Sequence, residues 1–464
     1  SRGSSHYISC DEINSIIRDN SGMMWLGSIG GGVLNADTHQ SMFTFHSLNF
    51  ADDDIPTTSV RSLFTDSDNN IWMGIGTYGL ACLEYATGKL KSHSQMPEFT
   101  GMTIPTVFSV VQRKGSGEIW FGTYDGGIFA YHKGQRVRNL TPENCKFLGS
   151  SCVSALYEDK YANCWVGTRG SLGVQLADGN SFLFENMSFV DGAQLNWFYV
   201  RDIIADSDNS MWIATSNYGL IHIEGDIRNP STLKYYNYSF YNKRMLTNNV
   251  LCLHIDKSGR LWVGTEGGGI YLYNRQNDRF EEKNQEYNIP GDMVGSIEED
   301  KNGNLWLGTG MSGLVKLGAQ MKSNEPVVRV YTEADGLQGN FFIAQSACSR
   351  EGELFFGGYK GYNSFIPEDM EDIQGDVQFA ITDIKIFNRS ISTLPLEVQR
   401  EISPLTPAFT QKIELPYKYN NFNIEFAALT YKNPELNRYA YQLEGFDKDW
   451  FIQAPSVVLL TIII

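Results

Sequence analysis

Two arginines carry the most pointed chemistry in this 464-residue sequence. Arg61 and Arg201 each follow the valine that opens an apolar stretch, in VRSLFTD (60–66) and VRDIIAD (200–206). A guanidinium is a rigid planar fork that grips a carboxylate or sulfate through two parallel bonds. A second set combines flat rings with planar hydrogen-bonding groups. Tyr78, Tyr124, Asp125, Arg169, Asn217 and Glu266 sit in short turns after apolar strands. Asn196, Trp197 and Tyr199 lie in AQLNWFYVRD (193–202). Aromatic faces pack on the C–H faces of pyranoses, and Asp, Asn and Arg meet their hydroxyls. These eleven residues are therefore candidate contacts for an oligosaccharide.

Other chemistries fit less well. The glycine run in GRLWVGTEGGGIYLY (259–273) suggests a phosphate cradle. A phosphate loop, however, needs a following Lys-Ser/Thr and a helix, and the dinucleotide fingerprint also opens a helix. Here Ile-Tyr-Leu-Tyr follows, which reads as a strand. DSDNN (66–70) and DSDNS (206–210) resemble the start of a calcium loop but lack its closing Glu. Seven cysteines form no CxxC pair, and seven histidines show no ligand spacing, so neither a metal nor another cofactor is expected. No His/Glu/Tyr constellation clusters in the sequence, so no catalytic residue is assigned.

The elements that position these residues are repeats. The unit reads DNSGMMWLGSIGGGV (19–33), DSDNNIWMGIGTYGL (66–80), KGSGEIWFGTYDGGI (114–128) and DKYANCWVGTRGSLGV (159–174). It continues as DSDNSMWIATSNYGL (206–220), DKSGRLWVGTEGGGI (256–270), DKNGNLWLGTGMSGL (300–314) and SREGELFFGGYKGYN (349–363). The anchors Trp25, Trp72, Trp120, Trp165, Trp212, Trp262, Trp306 and Phe355 are spaced by 44–50 residues. An Asp stands six residues before the anchor in six of eight copies, and a Gly seven after it in six of eight. The fixed Asp reads as a turn cap, because Asp and Asn bond their own backbone in tight turns.

An apolar strand, a turn, a second strand buried on both faces, a Gly turn and a third strand recur in every unit, with room for a fourth. Four short antiparallel strands at this period predict a β-propeller. The Trp would wedge against the next blade, and the Gly two residues later would let the backbones approach. Seven blades with one orphan copy and eight blades both fit. Because an isolated three-stranded blade would leave its apolar faces wet, eight is favoured, with HYIS (6–9) completing the last blade. The propeller is placed at 1–372. In such a ring the loop between strands two and three shares a face with the loop entering strand one. All the candidate contacts would then gather on one face, with Arg61 and Arg201 near the central channel.

From 375 to 464 the pattern changes. VQFAITDIKIFNRSI, KIELPYKYNNFNIEFAALTY and RYAYQLEGFDKDW read as strands of a small immunoglobulin-like β-sandwich, incomplete at about 88 residues, with a Pro-containing loop (STLPLEVQREISPLTPAF) between the first two. Tyr417, Tyr419, Tyr431, Tyr439 and Tyr441 read as core or interface. The net charge of −16 disfavours general nucleic-acid binding and anionic membranes. No apolar run approaches the length of a membrane span, and the final SVVLLTIII is only nine residues.

The D-x-x-G-x-(L/I)-W-x-G-T-x-x-G-G-(L/I) copies resemble the two-component regulator propeller repeat. The tail LPYKYNNFNIEFAALTYKNPELNRYAYQLEGFDKDW resembles the Y_Y_Y domain that follows such propellers. Together they cover nearly the whole chain. The resemblance implies the periplasmic sensor region of a Bacteroides-type hybrid two-component system. That implies oligosaccharide sensing, a possible homodimer through the C-terminal sandwich, and coupling through a membrane segment to a histidine kinase outside this chain. It also implies two seven-bladed propellers, whereas this chain has eight repeats. After Trp450, FIQAPSVVLLTIII departs from the expected Y-T-x-L-x-x-G-x-Y strand, so the sandwich is expected to be truncated. The readings from other classes are a propeller enzyme acting on polysaccharide, as lyase or glycosidase, and a protein-interaction scaffold.

Overall fold

The computed structural model describes residues 12–19, 23–37, 42–48, 59–76, 79–240, 243–245, 247–318, 328–342, 345–370, 379–402, 413, 415–428, 439–443, 445, 447, 450–453 and 458–463. Two compact units divide the chain. One spans 41–370, and the other combines 1–40 with 371–464.

The larger unit is a closed seven-bladed propeller. Six four-stranded antiparallel sheets follow in chain order, each running from an inner strand outward. Their inner strands are Val60–Thr65, Val107–Gln112, Val153–Glu158, Val200–Ala205, Val250–Ile255 and Val294–Glu299, here blades 1 to 6. Blade 7 is built from Ser346–Cys348, Leu354–Gly358 and Gly361–Phe365, completed by Thr44–His46 from the start of the unit. His46, Phe45 and Thr44 pair with Tyr362, Asn363 and Ser364. Each inner strand packs on the next, and that of blade 7 packs on that of blade 1. Thr65 Oγ1 donates to Cys348 O at 2.8 Å across this last junction, and Asn69 Nδ2 donates to Glu351 Oε2 at 2.7 Å.

The expected eighth blade is absent from this ring. The first repeat copy forms a three-stranded sheet of its own, Ile13–Arg18, Met23–Ser28 and Gly32–Asp37, in the smaller unit. In the ring, a Cβ at the Gly after the anchor Trp would run into the following blade, as at Gly264 (2.7 Å from Val294 O) and Gly308 (2.8 Å from Phe342 O). At Gly27 the nearest atoms it would meet belong to Ser15 of the same sheet. The faces do remain open, as the sequence argument required: Ile16 and Ile17 are 58% and 65% exposed. An N-terminal strand does complete the last blade, but it is 44–46 rather than HYIS (6–9), which lies outside the described residues.

The repeat's sidechains explain its period. In blades 1, 3, 5 and 6 the turn Asp takes two backbone N–H groups on Oδ1 and the anchor indole on Oδ2. In blade 1, Asp66 accepts from Asp68 N (2.9 Å), Asn70 N (2.8 Å) and Trp72 Nε1 (2.8 Å). The indole bond recurs at Asp19–Trp25, Asp159–Trp165, Asp206–Trp212, Asp256–Trp262 and Asp300–Trp306. Where Lys114 replaces the Asp, Glu118 supplies the acceptor for Trp120 Nε1 at 3.2 Å. The Trp then buries against the next blade, as Trp262 does among Val294, Ile297 and Leu307. Gly269, seven after its Trp, adopts φ +65°, where a side chain would also strike Asn284.

In the smaller unit, Arg389–Ser390, Phe379–Ile386, Asn421–Ala428 and Val458–Ile463 form a four-stranded sheet, and Tyr439–Tyr441 pairs with Phe451–Gln453. Phe426 packs on Phe379 and Tyr439, with centroids 5.1 and 5.7 Å apart. The Tyr439 hydroxyl accepts from Ala428 N at 3.1 Å, joining the two sheets. The tail 458–463 is thus a strand, and the Pro-containing loop holds a helix, Leu396–Ile402, whose Ile402 packs with Ile384 and Ile386. Tyr417 is 82% exposed rather than core. Tyr431 lies outside the described residues.

Candidate ligand site at the mouth of the propeller channel

A bulge in the inner strands builds the site. In blades 1 and 3 to 6 the pairing with the second strand skips the residue after the opening valine, as between Val60 and Ser62. Blade 2 does the same: Val107 pairs with Thr123 and Ser109 with Gly122, which skips Phe108. The skipped residue leaves the ladder and is re-aimed. These residues, Arg61, Phe108, Ser154, Arg201, Leu251 and Gly295, all line one cavity of about 1010 Å³ running into the channel.

The loops gather on the same face. Gly76 N bonds Ser59 O, Tyr124 N bonds Thr106 O, Arg169 N bonds Cys152 O, Ser216 N bonds Tyr199 O, and Glu266 N bonds Asn249 O, all within 2.9–3.1 Å. Each bond ties a loop between strands two and three to the loop entering strand one of its own blade. Of the sequence candidates, Arg61, Tyr124, Tyr199 and Arg201 line the cavity. Arg169 stands 5.9 Å over the Trp197 ring, beside Tyr199, with which it forms a β-bridge. Asn217 Oδ1 accepts from Tyr199 N at 3.3 Å, so it holds the loop rather than facing the cavity. Asp125, Asn196 and Glu266 are exposed on the loops outside the cavity lining. Tyr78 lies outside the described residues.

The sequence reading missed several lining residues. Phe108 occupies the position of Arg61 and Arg201, and its ring meets Tyr124 edge-on at 5.9 Å. Tyr359, in the blade 7 loop, stacks on Phe341 at 4.4 Å and carries Arg61 at 5.6 Å. Both follow from aligning the copies by position rather than by residue type. Asp202 and Glu298 are carboxyls deeper in the channel. Asp202 stands where other blades have Ser62, Ser109, Cys252 or Ser296, and accepts Leu253 N of the next blade at 2.8 Å. Glu298 accepts from Ser346 Oγ at 3.1 Å.

Electrostatics separates the mouth from the depth. Burial between the blades raises the Asp202 carboxyl to about 6, partly offset by bonds from Leu253 and Ile203 N–H. Burial likewise raises Glu298 to about 7. Glu158, the third carboxylate of the lining, is held by Arg113 at 2.7 Å. At the mouth, Arg201 lies 5.7 Å over the Tyr199 ring. The arrangement offers aromatic walls, two guanidinium forks and hydroxyls at Ser154, Ser296 and Ser346. Among the described residues no group of His, Cys, Asp and Glu is arranged to hold a metal ion, and no helix is long and apolar enough to cross a membrane.

Three stretches, 54–77, 245–267 and 288–311, match the two component regulator propeller. The matched stretches are copies of the repeat in blades 1, 5 and 6. Over 461 residues the chain is 25% identical to histidine kinase P4 of Formosa agariphila, covering 97% of this chain and 29% of that protein. The chain is also similar in fold to an extracellular domain from B. thetaiotaomicron described as that of hybrid two component system BT4673. The TM-score is 0.55 at 20% identity, over 99% of this chain and 59% of that one. A streptogramin B lyase has a TM-score of 0.51 at 16% identity, over 70% of this chain and 98% of that one. The chain thus spans less than a third of the kinase it matches and under two thirds of the sensor domain.

Proposed function

We propose that this chain is the extracytoplasmic, periplasmic ligand-sensing region of a hybrid two-component sensor and that its propeller mouth binds an oligosaccharide. The observation that carries the reading is the regulator propeller repeat folded so that its bulges and loops present Arg61, Arg201, Tyr124, Tyr199 and Tyr359 around one cavity. Rings with adjacent forks and hydroxyls are what pyranose recognition needs. The chain senses and does not catalyse. The kinase that reads the signal lies outside it, and the C-terminal sheet, resembling a Y_Y_Y domain, relays the bound state and forms the homodimer contact.

Titration calorimetry against host and plant oligosaccharides tests the reading. One class of sugar should bind with 1:1 stoichiometry, and Arg61→Ala, Trp197→Ala and Arg201→Ala should each weaken it. Unchanged binding in all three variants would remove the site from the mouth. Turnover of a sugar in the same panel would replace the sensor with an enzyme.

A further inference from the structure

Eight arginines of the propeller lie against a carboxylate or an aromatic ring in ways that separate the channel mouth from the rest. Arg113, Arg138, Arg244, Arg260 and Arg275 are each ion-paired with a carboxylate. Arg61, Arg169 and Arg201 are in no ion pair among the described residues. Each instead lies against an aromatic ring: Tyr359 at 5.6 Å, Trp197 at 5.9 Å and Tyr199 at 5.7 Å. A guanidinium within about 6 Å of a ring face gains a cation–π contact that does not use up its five N–H donors, so donors remain for a planar acceptor even where Arg201 also bonds the Tyr199 hydroxyl. All three stand on the channel face of a chain whose net charge is −16, so this concentration of unpaired positive charge runs against the rest of the protein. Arg61 and Arg201 belong to blades 1 and 4, on opposite sides of a ring of seven.

The carboxyls nearby offset this charge only in part. Glu158 is taken by Arg113, Asp202 accepts the backbone N–H groups of Leu253 and Ile203, and burial raises Glu298 to about 7, so that it is about half protonated at neutral pH. Asp125 stands exposed at the rim, outside the cavity lining. Deeper, Ser296 Oγ is buried and has no hydrogen-bond partner within the protein, although the residue lines the cavity. A buried hydroxyl of this kind costs free energy unless a guest or water satisfies it. The cavity of about 1010 Å³ is at the upper end of small-ligand sites and has room for an oligosaccharide.

We propose that the sugar taken at this mouth is acidic: an oligosaccharide carrying uronate carboxylates or sulfate esters, with its anionic groups on the guanidiniums of Arg61 and Arg201 and its ring faces on the adjoining aromatics. This rests on the sugar-sensing reading above and narrows it to one charge class.

The test is calorimetry in two matched arms. One arm compares tetragalacturonate with its carboxyl-reduced counterpart; the other compares a sulfated galactan tetrasaccharide with its desulfated form. An acidic member should bind at least tenfold more tightly than its neutral partner and weaken at least tenfold in the Arg61→Gln/Arg201→Gln double variant. Gln keeps most of the side chain's bulk, and unchanged circular dichroism and unfolding midpoint confirm the fold. Binding should also fall in 0.5 M salt. The arm that binds identifies carboxylate or sulfate as the anion. Equal binding of acidic and neutral partners, or full affinity in the double variant, overturns the charge class. If such binding is lost in Trp197→Ala, sugar sensing survives without it. Failure of acidic and neutral sugars alike overturns both readings.

Discussion

The bond between the turn Asp and the anchor Trp should be the most costly repeated contact to lose, and blade 6 isolates it well. Asp300 is 1% exposed and Trp306 is fully buried. Oδ1 accepts from Asn302 N and Asn304 N, both at 2.9 Å. Oδ2 accepts from Asn304 Nδ2 at 2.8 Å and Trp306 Nε1 at 3.0 Å. In Asp300→Ala, water can reach the two backbone donors at the surface turn but not the indole. A stranded buried donor costs about 1–3 kcal/mol, and lost bonds to a charged acceptor cost a similar amount again. The expected loss is therefore about 3–5 kcal/mol. Asp300→Asn keeps one acceptor but turns an amide N–H toward the indole, and should lose roughly half as much. Glu118→Ala in blade 2 is the control. Its carboxylate is 18% exposed, pairs with Arg138 and holds Trp120 from two residues away. Solvent can replace it, so the loss should stay within about 1 kcal/mol. Guanidinium unfolding followed by tryptophan fluorescence measures all three at constant slope. A loss under 1 kcal/mol for Asp300→Ala, or an equal loss for Glu118→Ala, would refute the claim that the buried indole bond sets the repeat.

Other expectations follow from the same geometry. Glu298 has its carboxyl raised from the ordinary value near 4.5 to about 7, so folding favours its protonated form. The stabilisation is complete below pH 4.5 and is lost as pH rises through about 7. Glu298→Gln should therefore flatten a fall on the order of 2 kcal/mol between pH 5 and 8, and an unchanged pH profile of unfolding would contradict the burial of this carboxyl. Gly264→Ala should cost about 2 kcal/mol or more, because its Cβ meets Val294 of blade 6 as well as Cys252. Restored stability in Gly264→Ala/Cys252→Ala would show instead that the side chain alone is the obstacle. The Cys82 and Cys164 thiols, raised to about 12 by burial, should resist iodoacetamide at pH 8 in the native state and react once unfolded. Rapid native labelling, read by peptide mass spectrometry, would show that these blade cores open.

How much the sequence determined can be traced residue by residue. The Trp spacing and the two punctuating glycines were enough to specify the propeller, because each blade is a local unit whose strands, turns and packing face are written within about 47 residues. The glycine run at 264–269 was legible for the same reason. Gly264 makes room for blade 6, and Gly269 turns the chain at positive φ. The indole bond was half visible: the constant six-residue spacing from Asp to Trp carried it, but a turn cap accounts for the Asp on its own. The number of blades was not local information. It depends on where the ring meets itself, and the decision fell to three residues, 44–46, which pair with 361–365 some 318 positions away. The first repeat has the same motif as its siblings, yet it forms a three-stranded sheet of its own in the smaller unit. The cavity likewise came only from tertiary structure. Arg61, Phe108 and Arg201 share a position in the repeat, but the one cavity they line exists only once the blades close into a ring. Asp202 and Glu298 are ordinary acids in the sequence, and it is the closing of seven blades around them that removes their solvent.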